Sequence, residues 1–146
     1  MVLERFARKW RYAGTTVGAD GNAGAINNCI VINVNKGILN VGKVKASTYA
    51  IQMSTGGTIT IENGGKLNAE SVGAVSGNFA VKGDVTLTKG SFDAQSEYLA
   101  VDGKLNAATG YEFLETDTPG DATSYKKITG TASTKKAVKG QAVPEE

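Results

Sequence analysis

The amino-acid sequence predicts an all-β fold whose body is a short β-solenoid, meaning a stack of similar coils that each contribute β-strands. The first indication is composition. The chain has 19 glycines and only 2 prolines beside many Val, Ile and Thr residues, which is typical of short strands joined by tight turns. The second is internal repetition at roughly two dozen residues, a period that marks stacked repeats. A β-sandwich or jelly roll, which also has short strands and frequent turns, is the alternative.

Three zones divide the 146 residues. Residues 1–25 are predicted to form a basic N-terminal arm or helix followed by a glycine-rich linker. Residues 26–113 are predicted to form the β-repeat body, and residues 114–146 a polar tail rich in Lys and Thr. A body of this length holds few coils and a small core, which favours oligomerisation.

In the first zone, apolar residues recur at helical spacing among basic residues in the segment MVLERFARKWRY. The spacing predicts a short amphipathic helix that would not be stable alone in water. Three roles fit this segment: a cap whose apolar stripe packs on the body, a docking segment for a partner subunit, and a contact with a membrane or a nucleic acid. The candidate partner-docking residues are Leu3, Arg5, Phe6, Arg8, Lys9, Trp10, Arg11 and Tyr12.

The body contains short segments in which apolar and polar residues alternate, which is the period of a strand with one buried face. Turn sequences such as NKG, NGG, TKG and VDG separate these segments. The residues predicted to face the core are Ile30, Ile32, Val34, Leu39, Val41, Ile59, Ile61, Val85, Leu87, Leu99 and Val101.

Two motifs recur within the body. The first is an apolar residue, any residue and then alanine, found at 44–46, 67–69, 92–94 and 105–107. A small residue at a repeated inward position is expected where successive coils stack closely at a corner. The second motif pairs FAVKG with LAVDG, which starts 20 positions later. Both repeats favour the solenoid over the sandwich.

The third zone is sparse in apolar residues and cannot bury enough surface to offset its own ordering entropy. We therefore expect residues 114–146 to be a flexible tail, or an arm that becomes ordered against a partner. The segment from Tyr125 to Ile128 is a weak strand that could lie at a sheet edge.

Residues that carry common chemistry are scarce. The chain has no histidine and one cysteine, Cys29, so the usual nucleophilic triad and the usual zinc sites are excluded. We expect no enzymatic activity, no metal and no cofactor, and we expect Cys29 to be a buried core residue. Four carboxylates near the later repeats could in principle serve a polysaccharide-cleaving site, although turn positions and solvent-facing positions explain them equally: Asp84, Asp93, Glu97 and Asp102.

The segments TGGTITIENGGKLNAES and VKGDVTLTKGSFDAQSEYLAVDGKLNA resemble the repeats of β-helical virion proteins, including phage fibres and head-decoration proteins. This resemblance implies a non-enzymatic, homo-oligomeric structural protein, for example a trimer, whose other partner is a capsid or virion protein. It also implies assembly in a host cytoplasm and residence in the virion.

The segments GKLNAES and VDGKLNA are also similar to the repeats of bactofilins, which are cytoplasmic polymers built from a bare β-helix. This second resemblance implies a cytoskeletal filament in the cytoplasm, although bactofilin coils are shorter and more even than the repeats of this chain. No secretory signal or membrane-spanning run is visible in the sequence. A glycan-binding tail module is a third alternative.

Overall fold

A computed structural model of the chain describes residues 14–17, 21–23, 26–42, 49–73, 77–128 and 133–145. These residues form fourteen β-strands and one short 3-10 helix, Ala122–Ser124, and no α-helix is present among them. The fold is therefore all-β, as the composition predicts. The strands are β1 (Gly14–Val17), β2 (Gly21–Ala23), β3 (Ile26–Asn35), β4 (Ile38–Gly42), β5 (Ile51–Glu62), β6 (Gly65–Ser71), β7 (Phe79–Lys82), β8 (Asp84–Leu87), β9 (Gly90–Ser96), β10 (Leu99–Asp102), β11 (Leu105–Ala107), β12 (Tyr111–Thr116), β13 (Lys126–Ile128) and β14 (Ala137–Ala142).

The first of two sheets contains seven strands in the order β1-β3-β5-β7-β10, with β8 also beside β5 and β11 beside β8. Every one of these strand pairs is parallel. Val31 lies opposite Thr58, and Thr58 lies opposite Asp84. These two steps across the sheet use 27 and 26 residues of chain, close to the sequence repeat of roughly two dozen residues. The steps at the two ends of the sheet are shorter, 17 residues from β1 to β3 and 20 from β7 to β10.

The second sheet also contains seven strands, in the order β13-β12-β14-β9-β6-β4-β2. From β2 to β9 the pairs are parallel, and the chain alternates between the two sheets as it advances. From β9 onward the pairs are antiparallel, because β14 runs opposite to β9 and to β12, and β13 runs opposite to β12. The last three strands of this sheet thus depart from the pattern of the body.

The 20-residue repeat of the sequence corresponds to neighbouring strands of the first sheet. Leu99 lies directly opposite Phe79, and Val101 lies directly opposite Val81. Similar side chains therefore lie side by side on the same face of neighbouring strands, so the same alternation of inward and outward positions fits both strands. The prediction that these segments stack is confirmed.

The apolar-x-alanine motif stacks at two of its four occurrences. Phe92 and Ala94 lie directly opposite Leu67 and Ala69 in the second sheet, and all four side chains are buried. The occurrence at 105–107 lies in the first sheet instead, because it pairs with β8. Leu105 is buried there but Ala107 is exposed, so the expectation of a small inward-facing alanine holds for Ala69 and Ala94 and is wrong for Ala107.

The hydrophobic core lies between the inward faces of the two sheets. Burial alternates along the strands, for example in β6, where every second residue is buried. The largest fully buried side chains are Phe92, Phe113, Ile26, Ile32, Leu39, Ile51, Ile59, Ile61, Leu67 and Leu87. All of the residues predicted from alternation to face the core are buried except Ile30 and Leu99, and Leu99 is half-buried.

The expectation that Ile30 faces the core is wrong, because its side chain is 46% exposed. The register between β3 and β5 shifts on both sides of Cys29, and an irregularity of this kind moves a side chain to the other face. Cys29 is fully buried instead, and its Sγ donates a hydrogen bond to the carbonyl oxygen of Val31 at 3.3 Å. Burial raises the pKa of the Cys29 thiol, which confirms its assignment to the core.

Glycines allow neighbouring stretches of backbone to approach closely at two turns. A Cβ atom at Gly103 would overlap the backbone carbonyl of Gly83, and one at Gly90 would overlap that of Gly65. The glycine shared by FAVKG and LAVDG is therefore needed for contact between the two turns as well as for the turn itself.

The C-terminal zone differs from the expected flexible tail. Of residues 114–146, the structure places 126–128 and 137–142 in strands β13 and β14, and Ala137 and Val138 are fully buried. The zone is poor in apolar residues, but it is ordered because β14 pairs with β9 of the body. Tyr125 to Ile128, predicted as an edge strand, largely coincides with β13, which lies at the end of the second sheet.

The predicted N-terminal helix and the docking residues within 1–12 lie outside the described residues, as does the repeat motif at 44–46. Strands β1 and β2 lie inside the zone 1–25 that was predicted to be an arm and a glycine-rich linker, so its described part forms strands instead of a linker. Each of them occupies an outer position of its sheet, and β2 lies at the opposite end of the second sheet from β12 to β14.

We expect Gly103→Ala to lower the free energy of unfolding by about 2 kcal/mol or more, because the new Cβ meets the backbone of Gly83, which cannot move aside without separating β7 from β10. Gly120→Ala is the matched control, since a Cβ there has no atom within 4 Å and should change stability little. Urea unfolding of both variants measures the difference. Equal stability of the two variants would contradict the close stacking.

Candidate functional site: the closed end of the sheets

Strand β14 joins the body to the last two strands of the second sheet. Val138 lies opposite Ala94 of β9 on one side and opposite Glu115 of β12 on the other. Among the described strands of this sheet, β13 pairs with β12 and β12 reaches the body through β14. The C-terminal strand therefore determines how this end of the molecule is closed.

Gly140 allows two aromatic rings to meet across β14. Phe92 of β9 and Phe113 of β12 both lie opposite Gly140, and their ring centroids are 6.0 Å apart at an interplanar angle of 78°. This edge-to-face contact requires a residue without a side chain between the rings. A Cβ at Gly140 would lie 2.8 Å from Leu87 Cδ2 and 2.9 Å from Phe113 Cε1.

The residues just before β14 cover the edge of the first sheet. Ala100 N donates to the carbonyl oxygen of Lys135 at 2.7 Å, and Thr134 N donates to that of Val101 at 2.9 Å. Val101 N in turn donates to Thr134 Oγ1 at 2.7 Å. Residues 133–142, named here the closing segment, thus bond to the last full strand of both sheets and satisfy backbone groups that an open edge would leave unpaired.

A compact turn connects β12 to β13. Asp121 caps the 3-10 helix, since its Oδ1 accepts hydrogen bonds from Thr123 N at 2.9 Å and from Thr123 Oγ1 at 2.7 Å. The hydrogen bonds from Thr123 lower the pKa of the Asp121 carboxyl. Buried Thr116 bonds through its hydroxyl with Ser124 and Thr118, so side-chain bonds hold a loop that has few apolar residues.

A cluster of polar side chains lies on the outer face where β14 meets β9. Asp93 lies opposite Lys139, and Gln95 Nε2 donates to Asp93 Oδ1 at 3.4 Å. Lys139 Nζ is 4.5 Å from the centroid of the Tyr125 ring, a cation–π contact. The four side chains attach the closing segment and the loop before β13 to the body.

Burial dominates the electrostatics of this cluster. It raises the pKa of Asp93, although the Gln95 hydrogen bond and the charge of Lys139 act in the opposite direction, and nearby Glu70 adds to the rise. The Tyr125 hydroxyl is also buried and has no hydrogen-bond partner, and burial followed by the charge of Asp93 raises its pKa. Closing the sheet therefore holds a carboxyl group where its charged form is disfavoured.

A shallow groove of about 330 Å³ adjoins this cluster. It lies where β6 and β9 end, beside the loop that precedes the 3-10 helix, and both acidic and basic side chains reach it. The groove is lined by Glu70, Ser71, Val72, Gln95, Ser96, Glu97, Pro119 and Lys136.

The four carboxylates singled out in the sequence are distributed over both sheets. Asp84 Oδ1 accepts a hydrogen bond from Lys104 N at 2.9 Å, and Asp102 Oδ1 accepts one from the Ser133 hydroxyl at 3.3 Å. Both belong to the first sheet, whereas Asp93 and Glu97 lie at the cluster and the groove of the second. Asp84 and Asp102 therefore hold turns in place, as their positions beside glycines indicate.

The sequence did not predict the role of the closing segment. A signal was present in AVKGQA, where residues 137, 138 and 140 are small or apolar. Such a short and polar run does not by itself indicate a strand, because the strands with which it pairs are distant in sequence. The predicted docking residues in 1–12 lie outside the described residues and are not placed relative to this site.

Within the part of the chain that the structure describes, no three His, Cys, Asp or Glu residues are grouped so that they could hold a metal ion. No helix in the same part is long and apolar enough to cross a membrane. Comparison with protein-family models, with curated proteins and with solved structures found no match.

We expect the stability difference between the wild type and Asp93→Asn to depend on pH. Because the folded pKa of Asp93 is raised, the native state holds the proton more tightly, and the wild type loses stability as pH rises through the window between the unfolded and folded pKa. Asparagine removes this loss, so the stability of the variant relative to the wild type should increase as pH rises above the ordinary pKa of an aspartate. Urea unfolding at a series of pH values measures the difference.

Asp121→Asn is the control of opposite sign. The pKa of Asp121 is lowered in the folded state, so the stability that its ionised carboxyl contributes is lost as pH falls. The free energy of unfolding of Asp121→Asn should therefore decrease relative to that of the wild type as pH rises. The same trend in both variants would contradict the assigned environments.

Proposed function

We propose that this protein is a non-enzymatic structural subunit whose body is a short β-solenoid, attached to a larger assembly through its N-terminal end. The main observation that supports this proposal is the difference between the two ends of the sheets. One end is closed by the chain's own β14, whereas the other carries β1 and β2 at the first positions and continues into the basic, aromatic N-terminal segment.

The pairing of the body supports the solenoid. In both sheets, strands separated by about one repeat of sequence are parallel neighbours, and buried residues recur in the same columns. A sandwich of the Greek-key type is built from antiparallel neighbours instead. Among the strands that the structure describes, antiparallel pairing is confined to β12, β13 and β14 and to the edge of β9 that receives β14, so a solenoid accounts for the body and a local cap accounts for the rest.

The closed end favours a discrete subunit over a filament. A bactofilin-like polymer grows by stacking one open end on another, which requires an open edge at each end of the subunit. Here the closing segment bonds to β9 and to β10, and those edges cannot receive a second copy while it is in place. This geometry suits a module that is attached at one end and projects from the other.

A capsid decoration protein or a short fibre subunit of a virion fits both the single closed end and the resemblance of the repeats to β-helical virion proteins. In that role residues 1–12 dock on the shell or on a neighbouring copy, and the β-body projects. The sequence of 1–12 suits docking because Phe6 and Trp10 supply apolar anchors and Arg5, Arg8 and Arg11 supply charge.

We expect the purified chain to form a closed oligomer of one mass over a wide concentration range, because its closed end cannot propagate stacking. Light scattering after size-exclusion chromatography measures the mass, and negative-stain electron microscopy shows the particles. Filaments that lengthen with concentration would contradict the proposal and favour the cytoskeletal alternative.

We expect reversal of the N-terminal charges, with Arg5, Arg8, Lys9 and Arg11 all changed to Glu, to reduce the assembled mass to that of the monomer. The body is unchanged, so the thermal unfolding midpoint should move little. The matched control reverses four exposed lysines of the body: Lys66, Lys82, Lys89 and Lys104. Equal loss of assembly in both variants would show that net charge, rather than the N-terminal segment, controls association.

A further inference from the structure

The groove of about 330 Å³ beside the Asp93 cluster is lined by a carboxylate that the fold does not use. Of the four carboxylates singled out in the sequence, Asp84, Asp93 and Asp102 each accept a hydrogen bond. The exposed carboxylate of Glu97 has no hydrogen-bond or ion-pair partner among the described residues. Glu97 is therefore free to bind a ligand in the groove that it lines.

A cation and a second acceptor also line the groove without a partner in the described part of the chain. Lys135 pairs with Asp117 at 3.6 Å, but the ammonium group of Lys136, which is exposed, forms no ion pair there. Gln95 donates through Nε2 to Asp93, and its Oε1 accepts no hydrogen bond from a described residue. A carboxylate, an ammonium group and an amide oxygen are thus available around one groove.

Ser96 adds a buried hydroxyl donor to this set. Its side chain is 7% exposed, and its Oγ accepts a hydrogen bond from Tyr98 N at 3.1 Å. No described residue accepts the hydrogen of this hydroxyl, and a buried donor without an acceptor is costly. Ser96 lines the groove, where an acceptor on a ligand would satisfy it.

These groups suit a ligand that is rich in hydroxyl groups. Each hydroxyl of a sugar is both a donor and an acceptor, so it requires partners of both kinds close together. Val72 and Pro119 also line the groove and offer apolar surface to the C–H groups of a sugar ring. Acidic and basic side chains are both present, so the groove has no charge of one sign that would select a simple ion. Its volume lies at the lower end of the range for small-ligand sites, which suits a single sugar unit.

We propose that this groove binds one neutral hexose unit of a glycan. Glu97 accepts hydrogen bonds from the sugar hydroxyls, and Lys136 and Ser96 donate to them. The groove lies beside the closing segment, at the end of the molecule that projects in the proposed role. Sugar binding by the chain does not itself depend on that role.

Saturation-transfer NMR of the full chain tests the site, because it observes the sugar and works for a monomer or an oligomer. The probes are D-glucose, D-galactose, D-mannose and N-acetyl-D-glucosamine, titrated separately, with glycerol as the control for a hydroxyl-rich solute without a ring. We expect at least one sugar to bind saturably with a Kd of the order of 1 mM, as for a small ligand in a shallow site. If none of the four binds at about 100 times that concentration, or if glycerol binds equally well, the proposal is overturned.

Single substitutions place the bound sugar. Glu97→Ala and Lys136→Ala should each raise the Kd about tenfold or more, and the thermal unfolding midpoint should move little because both side chains are exposed. The matched controls are Glu145→Ala and Lys82→Ala, which remove an exposed carboxylate and an exposed ammonium group outside the groove and should leave the Kd within about twofold. Equal effects in the two pairs of variants would overturn the assignment to the groove.

Light scattering on the same samples separates this proposal from the proposed function. A closed oligomer that binds none of the sugars leaves the structural role intact and overturns the sugar site. A monomer that binds a sugar in the groove overturns the assembly and retains the site.

Discussion

Backbone groups at the end of a parallel sheet must find partners, and the arrangement of this molecule depends on how that requirement is met. Each strand of the body forms backbone hydrogen bonds with the strand about one repeat earlier in the sequence. The backbone groups that still need partners are therefore those on the outer edges of β9 and β10. There the direction of the chain changes. The closing segment runs antiparallel across β9 and bonds to β10. One stretch of ten residues thus ends the parallel part of the second sheet and covers the edge of β10 in the first, while β13 lies at the end of the second sheet.

The chemistry of the closing segment follows from that position. A strand inserted between two others cannot carry large side chains where aromatic rings already meet, which explains Gly140. Its outward residues can be polar, and Lys139 faces Asp93. The cost of closing the sheet appears in the raised pKa of Asp93 and in the unpartnered hydroxyl of Tyr125. Stability at this end is therefore expected to rest on backbone bonds and small side chains more than on apolar burial.

Local patterning allowed much of the body to be predicted from the sequence. Alternation identified the inward residues, and the 20-residue repeat matched Leu99 with Phe79 and Val101 with Val81. Ile30 was misplaced because a register irregularity leaves no trace in periodicity. The polar composition of residues 114–146 predicts a flexible tail or an arm that becomes ordered against a partner, whereas the structure places 137–142 in a strand. The segment is ordered because it pairs with β9 and β12, whose residues are distant in sequence. Composition carries no information about such long-range pairing.

The candidate site could be predicted only in fragments for the same reason. Asp93 was noticed as one carboxylate among four, but its neighbours Lys139 and Tyr125 lie far along the chain. The central claim is that residues 137–142 form an internal strand, and backbone amide hydrogen exchange of the full chain tests it most directly. The account predicts that amides of β14 are protected to nearly the same degree as those of β9, because both exchange only when this end of the sheet opens. Exchange of the β14 amides at the rate of an unstructured chain, with β9 still protected, would contradict it.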